Sequence, residues 1–561
     1  MKKYLGAAIG NCVHVGGIVN FFRLVEREGH ETYFLGAAVS IDRLVEKVLE
    51  IKPDVVAIGY RLTPKNVEPL LKELEEHIKS KKLDNIEWIF GGTKPVADVA
   101  RRFSFFSTIF DGTEDVDDVI NYIRGRQLKE VKLYYPDNIV ERINSKYPYP
   151  VLRHHFGLPS LEDTIEGIKK IAEAKVLDVI SIGPDQNTQQ FFFSQDKMNK
   201  DLDGAGGVPL RKVEDFIELY KASRRGNYPL LRCYSGTADV FRFAEMLKDT
   251  IHNAWCAVPL CWYNVLDGRG TRPVGESIAE GQMLMKKHAE WNIPVEVNEA
   301  HHWSLRDAHD TIGVVMAFLA AYNAKKMGVR DYIAQYMFNV PAALHHKMDL
   351  AKMLAKVELI ESLEDDNFKT YRQVRAGLAS LSSDLDVAKG QLAASTYLAM
   401  SLKPHIVHIV GYCEADHAAK AEEVIESTKI VRGVIRSTLD GMVDMTKDME
   451  VQERKHELME EAKYLLDTIK NLYEESEDPW SDPKVLEDII RRGIIDAPHL
   501  RGNPSAKGVL ETRIVNGKCM AYSKKLNRVM TEKERIEELL NGEETSVEGH
   551  QFCKKIVLQS C

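Results

Sequence analysis

Two groups of residues in this chain have types and spacing suited to chemistry. The first is a histidine in a glycine-rich stretch, Gly10-Asn11-Cys12-Val13-His14-Val15-Gly16-Gly17. Two further stretches, Gly59-Tyr60-Arg61-Leu62-Thr63 and Gly91-Gly92-Thr93, are also rich in small residues. Small residues leave room for something bulky and flat to approach the backbone. A lone loop histidine is usually only solvated, so its neighbours decide the reading. Neither GxxxxGK[ST] nor a GxGxxG after the first strand occurs, which removes a phosphate-cradling P-loop and a dinucleotide fingerprint. The second group is a series of polar and aromatic phrases: Asp185-Gln186-Asn187-Thr188-Gln189-Gln190, Arg232-Cys233-Tyr234-Ser235-Gly236-Thr237, Trp262-Tyr263-Asn264, Asn298-Glu299-Ala300-His301-His302 and Gly411-Tyr412-Cys413-Glu414. Among them Arg232, taken by itself, reads as a structural ion pair at the rim of the fold.

These phrases need elements to position them. Over residues 1–127, Leu5–Ile9, Thr32–Leu35, Val55–Ile58, Glu87–Phe90 and Thr108–Phe110 read as buried strands. Ile41, Leu44, Val45, Val48 and Leu49 share one face of a helix over Ile41–Ile51, and Val67, Leu70, Leu71 and Leu74 repeat the pattern. Strict alternation of strands and helices predicts an α/β domain, a flavodoxin-like doubly wound parallel sheet. Ligands of such sheets sit at the carboxyl ends of the strands, where strand order switches. The three glycine stretches follow strands one, three and four. Residues 128–150, with Tyr134, Tyr135, Pro136, Tyr147, Pro148, Tyr149 and Pro150, read as a linker. From 151 to 435, the runs Val176–Ile182, Pro229–Cys233, Ala254–Leu260, Pro294–Glu299, Tyr332–Met337 and Ile406–Val410 alternate with helical segments. That length and alternation predict a (β/α)8 TIM barrel with its chemistry at the carboxyl ends of the strands. Residues 436–561 read as a helical and small mixed C-terminal region, its Met445, Met449, Leu458, Leu465 and Leu466 stripe serving core or dimer contact.

Composition narrows the classes. The 561 residues are 44% hydrophobic and 28% charged, which excludes a mostly disordered chain. A net charge of −9 argues against nucleic-acid or anionic-membrane binding through bulk charge. No apolar run reaches about 18 residues, so no membrane-spanning helix is expected, and the first residues read as a strand and turn, not a signal peptide. The eight cysteines are scattered without a CxxC, which argues against a disulfide framework or zinc ribbon and fits a reducing cytoplasm. His301, His309, Asp307 and Asp310 make a metal site only on paper; a polar first helical turn is the simpler reading. Gly204-Ala205-Gly206-Gly207 reads as a flexible loop.

The N-terminal pattern resembles the cobalamin-binding domain of B12-dependent mutases and methionine synthases. That family carries Asp-x-His-x-x-Gly after strand one, Ser-x-Leu after strand three and Gly-Gly after strand four. His14 and Gly17 match the first motif, Gly91 and Gly92 the third; Gly36 follows His14 by 22 residues and Gly59 follows Gly36 by 23. The resemblance implies that His14 is the lower axial ligand of cobalt. It implies that Cys12, Gly17, Gly59, Arg61, Thr63, Gly91 and Gly92 line the cofactor. Two departures stand out. The family aspartate falls on Cys12, a weak acceptor. The family Ser and Leu fall on Gly59 and Arg61, so a tail-packing hydroxyl is missing and a charge is added.

The later phrases resemble, in the same order, the catalytic barrel subunit of glutamate mutase (methylaspartate mutase). Its Arg-His-Gly-Thr-Pro-Asp looks like Arg232–Asp239, its Ser-Tyr-Asn like Trp262-Tyr263-Asn264, and its Asn-Arg-Glu-Pro like Val297-Asn298-Glu299-Ala300. Its His-Glu-Ala looks like Cys413-Glu414-Ala415, and its Gly-Val-Met-Asp-Ile-Pro like Gly493–Pro498. The resemblance implies an adenosylcobalamin-dependent radical isomerase carrying out a 1,2-rearrangement of a small carboxylic or amino acid. Arg232, Tyr263 and Glu414 then serve catalysis, and Arg153, Gln189, Arg232 and Asn298 hold substrate. The family's third substrate arginine falls on Gln189 and its amine-binding glutamate on Ala257, which makes a single carboxylate on Arg232 the safer expectation. Fusion of both family subunits in one chain implies a self-sufficient homodimer. The alternatives are a corrinoid methyltransferase, disfavoured because no four-helix cap precedes strand one, and a non-catalytic cobalamin sensor.

Overall fold

A computed structural model describes residues 1–114, 116–125 and 135–546. Residues 128–134 of the stretch read as linker, Tyr134 included, and the chain end from 547, with Cys553 and Cys561, lie outside these. The chain divides into two compact units, 1–134 and 135–561.

In the first unit β1 (Lys3–Ala8), β2 (Glu31–Phe34), β3 (Val55–Tyr60), β4 (Glu87–Gly92) and β5 (Phe106–Phe110) form a parallel sheet in the order β2-β1-β3-β4-β5. Helices Gly16–Arg27, Ile41–Ile51, Pro64–Lys81 and Lys94–Ala100 supply the crossovers, and Val116–Ile123 follows the last strand. Burial explains the pattern: β1 and β3 are buried almost throughout, as near-continuous apolar runs in a sheet covered on both faces should be. The helix Ile41–Ile51 starts where expected because the Ser40 hydroxyl accepts from Arg43 N (3.3 Å). Leu49 departs from expectation; it lies on the flank of the buried face and is 46% exposed. The strand order reverses between β1 and β3, so the switch point lies between the His14 loop and the Gly59 strand end.

In the second unit eight parallel strands form a barrel: β6 (Val151–Phe156), β7 (Val179–Ile182), β8 (Leu230–Arg232), β9 (Cys256–Val258), β10 (Val295–Val297), β11 (Asp331–Phe338), β12 (Lys369–Ala376) and β13 (Ile406–Ile409). Their order is β8-β7-β6-β13-β12-β11-β10-β9, and a parallel bridge from Tyr234 to Ala257 joins the two ends. The first strand and the seventh were not among the runs read as strands. Leu152–Phe156 and Thr370–Arg375 carry Arg, His and Gln at alternate positions, because this barrel has a polar interior. Its floor is apolar: Val151, Val179, Leu230, Trp255, Ile333 and Ile406 pack with Ile139 and Ile143. Those two isoleucines sit on the helix Ile139–Lys146, so part of the stretch read as linker plugs the amino-terminal mouth.

Beyond the barrel, the helix Met449–Leu472 buries Leu458, Leu465 and Leu466, while Met449 is 76% exposed. A three-stranded antiparallel sheet follows, β14 (Thr512–Val515), β15 (Lys518–Ser523) and β16 (Arg528–Met530). Among the described residues no helix is long and apolar enough to cross a membrane.

Candidate functional site

The His14 loop is built from the end of β1. Cys12 N donates to Ile9 O (3.1 Å), Ala38 N donates to Cys12 O (2.9 Å), and Gly10 N donates to Val39 O (2.8 Å), which tie the loop to the chain after β2. A hydrogen bond from Tyr60 Oη to Asn11 Oδ1 (3.0 Å) ties it to the end of β3. So fixed, Cys12 is fully buried while Val13 and His14 are exposed. Cys12 Sγ lies 3.9 Å from His14 Nδ1. The cysteine therefore stands behind the imidazole, at the nitrogen a second-layer partner would engage, and Nε2 is the nitrogen left for a metal.

Glycines shape the rim. A Cβ added at Gly16, Gly17 or Gly36 would meet nothing within 4 Å, and at Gly91 only Ile58 O at 4.0 Å. Val15 gives no side-chain cap to the helix Gly16–Arg27, so the first-turn N–H groups have no capping side chain. Gly59 differs: a Cβ there would lie 2.6 Å from Ile18 Cδ1, and one at Gly6 2.5 Å from Phe22 Cζ. The tips of Ile18 and Phe22 occupy the space above β1 and β3. Arg61 is exposed beyond β3, and Thr63 caps the helix Pro64–Lys81 by accepting from Asn66 N (3.4 Å). Gly91 and Gly92 end β4. The donor set would suit a corrin: one exposed imidazole with sulfur behind it, beside open glycines. The nucleotide slot fits only if the Ile18 and Phe22 tips turn away.

The barrel holds the second site. Strand alternation turns Arg153, His155, Ser181, Arg232, Ala257, Glu296, Gln335, Gln373, Arg375 and His408 inward. Glu296 Oε2 lies 3.3 Å from Arg153 Nη1 and 3.1 Å from Arg232 Nη2, and accepts from Trp255 Nε1 at 2.7 Å. Both guanidiniums also sit near the Trp255 ring, at 5.4 and 5.2 Å. Burial opposes the Glu296 charge, but Arg232 and Arg153 outweigh it and hold the carboxyl below its ordinary range. Glu296 pairs in register with Ala257, so a carboxylate stands one strand away from where the family's amine-binding glutamate falls.

A relay of amides climbs from this cluster. Arg153 Nη1 donates to Gln373 Oε1 (2.8 Å), Gln373 Nε2 to Gln335 Oε1 (3.0 Å), and Gln335 Nε2 lies 3.1 Å from His301 Nδ1. His155 Nε2 lies 3.0 Å from Arg153 Nη2 and 3.3 Å from Tyr234 Oη. Burial first, then the nearby arginines, press His155 and His408 well below the ordinary histidine value. Among the described residues, Arg232 Nε and Nη1, Arg153 Nε, Ser181 Oγ and His408 Nδ1 are buried without a hydrogen-bond partner. Arg375, half-buried on β12, donates from Nε to Ala376 O (3.3 Å). Arg153 and Arg232 thus meet in the cluster.

The other expected residues lie elsewhere around the mouth. Asn298 is buried just past β10. Gln189 Nε2 is spent on Pro184 O (2.7 Å). Tyr263, at φ 66°, is buried with Arg269 4.9 Å over its ring, and burial raises its phenol. Glu414 is exposed. The glycine loop is fastened: Asp185 Oδ2 accepts from Gly204 N (3.0 Å), and a Cβ at Gly207 would lie 2.0 Å from Gly183 O. The paper metal set is dispersed, with His309 on Glu532 (3.1 Å), Asp310 on Arg454 (3.1 Å) and Asp307 on His499 (3.1 Å). Sequence reasoning passed over Glu296, Gln373 and Arg375. The period-two pattern Tyr371-x-Gln373-x-Arg375 was the available signal.

No protein-family model and no curated protein matches the chain. Among solved structures, it is similar to a cobalamin-binding protein from Desulfitobacterium hafniense at 22% identity and TM-score 0.20, over 22% of this chain and 58% of that one. It is similar to the BexX/CysO complex of Amycolatopsis orientalis at 12% identity and TM-score 0.28, over 53% of this chain and 93% of that one. It is also similar to the cobalamin-dependent S-adenosylmethionine radical enzyme OxsB at 10% identity and TM-score 0.17, over 97% of this chain and 80% of that one.

Proposed function

We propose that the chain binds cobalamin through His14 and uses the adenosyl form to rearrange a small carboxylic acid in the barrel. The observation that carries this reading is the placement of His14, exposed at the switch point of a β2-β1-β3-β4-β5 sheet with Cys12 Sγ 3.9 Å from its Nδ1. The glycine rim supports it. Adenosylcobalamin, when bound, supplies homolysis of a cobalt–carbon bond. The chain's own residues do the rest. His14 Nε2 would hold the cobalt, and Cys12 would orient the ring. Arg232 takes the substrate carboxylate through Nε and Nη1, which have no hydrogen-bond partner among the described residues. Glu296 and the Trp255 ring hold Arg232 in place, and the apolar floor excludes water from beneath.

The reading is tested by reconstituting the purified chain with adenosylcobalamin and desalting it. Retained corrin absorbance near one equivalent per chain is expected. A colourless protein would contradict the reading.

A further inference from the structure

The reading above leaves open what kind of acid the barrel takes, and the charge inside it narrows the choice. Arg153, Arg232 and Arg375 face inward from β6, β8 and β12, and Glu296 on β10 is the carboxylate paired with the first two. Among the described residues no carboxylate oxygen lies within 4 Å of the Arg375 guanidinium. Three guanidiniums against one paired carboxylate leave a positive excess inside the barrel, which Glu414, exposed near Arg375, offsets only in part. Uncompensated charge in a low-dielectric interior is costly, so the site favours a ligand that brings two negative charges. Buried donors without partners point the same way: Arg232 Nε and Nη1, Arg153 Nε and Ser181 Oγ.

An ammonium finds no partner to match. Glu296 already serves Arg153, Arg232 and Trp255. Asp185 is taken by Arg211 (2.6 Å), Thr188 and Gly204. Glu299 accepts from Leu260 N, Cys261 N and Trp303 Nε1. Asp267 faces Arg306 and Arg269, and Glu414 stands exposed. An ammonium placed beside Glu296 would be a third cation on one carboxylate.

We infer that the barrel's ligand is a dicarboxylate without an amine, held by Arg232 and Arg375. The inference rests on the proposed function for calling that ligand the substrate, but not for the site itself.

Calorimetric titration of the full cobalamin-free chain tests it with succinate, glutarate, aspartate, glutamate and inorganic phosphate. At least tenfold tighter binding of an amine-free dicarboxylate than of its amino counterpart is expected. Arg375→Gln should weaken that binding tenfold or more while the melting temperature holds; Arg232→Gln should do the same if it folds. Equal or tighter binding of the amino acid would overturn the inference. So would tighter binding of phosphate, an unaffected Arg375→Gln variant, or no binding by any of these acids. Corrin retention, measured separately, keeps the two readings apart: acids that fail to bind a corrin-retaining chain sink this inference alone.

Discussion

Glu296 is the residue on which the barrel interior turns, since its carboxylate pairs with both Arg153 and Arg232. Removing one partner of a buried ion pair typically costs about 3–5 kcal/mol, because the remaining charge is left buried and uncompensated. Glu296→Ala is therefore expected to lose about 3–5 kcal/mol in chemical denaturation. Glu296→Gln should lose less, since the amide oxygen still accepts from Trp255. Cys12 makes the opposite case. Sulfur at 3.9 Å from His14 Nδ1 is a weak partner, so Cys12→Ala should change corrin retention only about threefold. A hundredfold loss would show that the sulfur does much more than orient the ring.

At the scale of elements, the packing of the helix Gly16–Arg27 on β1 and β3 fills the space in which the proposed cofactor's tail would lie. A Cβ at Gly59 would lie 2.6 Å from Ile18 Cδ1 and 2.9 Å from Cγ1. Gly59→Ser, which restores the family hydroxyl, should overpack the sheet and destabilise the chain by about 1–3 kcal/mol. Ile18→Val, which lacks Cδ1, should recover much of that loss in the double variant, and thermal unfolding reads both. The same contrast explains what was legible. The doubly wound sheet was readable because β1 and β3 are continuous apolar runs and Ile41, Leu44, Val45 and Val48 mark a helical face. β12 was not, because Lys-Thr-Tyr-Arg-Gln-Val-Arg-Ala carries polar side chains into the barrel where a core strand ordinarily carries aliphatic ones. With it went Gln373 and Arg375, two of the inward-facing polar residues of the barrel. His14 was readable because its spacing to Gly17, Gly36 and Gly59 is local in sequence. Glu296 was not, because its partners come from β6 and β8, far away in the chain.

For the whole molecule the buried histidines set the response to acid. His154, His155, His301, His302 and His408 all have values lowered by burial first. The unfolded chain takes up protons at these groups below a pH of about 6.5 while the folded chain does not, so stability falls as pH drops through that value. Each such histidine contributes a slope of up to about 1.4 kcal/mol per pH unit. Stability should therefore decline steadily from pH 6.5 toward 5, and His408→Gln should flatten the decline; chemical denaturation across that range checks both. The division after residue 134 predicts that residues 1–134 expressed alone are folded, by circular dichroism, and retain corrin. The central claim is that an imidazole of the protein, His14, ligates cobalt, and electron paramagnetic resonance of the bound cofactor in its cobalt(II) state tests it most directly. With nitrogen-15 histidine incorporated, the nitrogen splitting on the cobalt lines should change from triplets to doublets, and His14→Ala should abolish that change. Triplets that persist in the labelled protein would mean that the cofactor keeps its own base, and the account would be wrong.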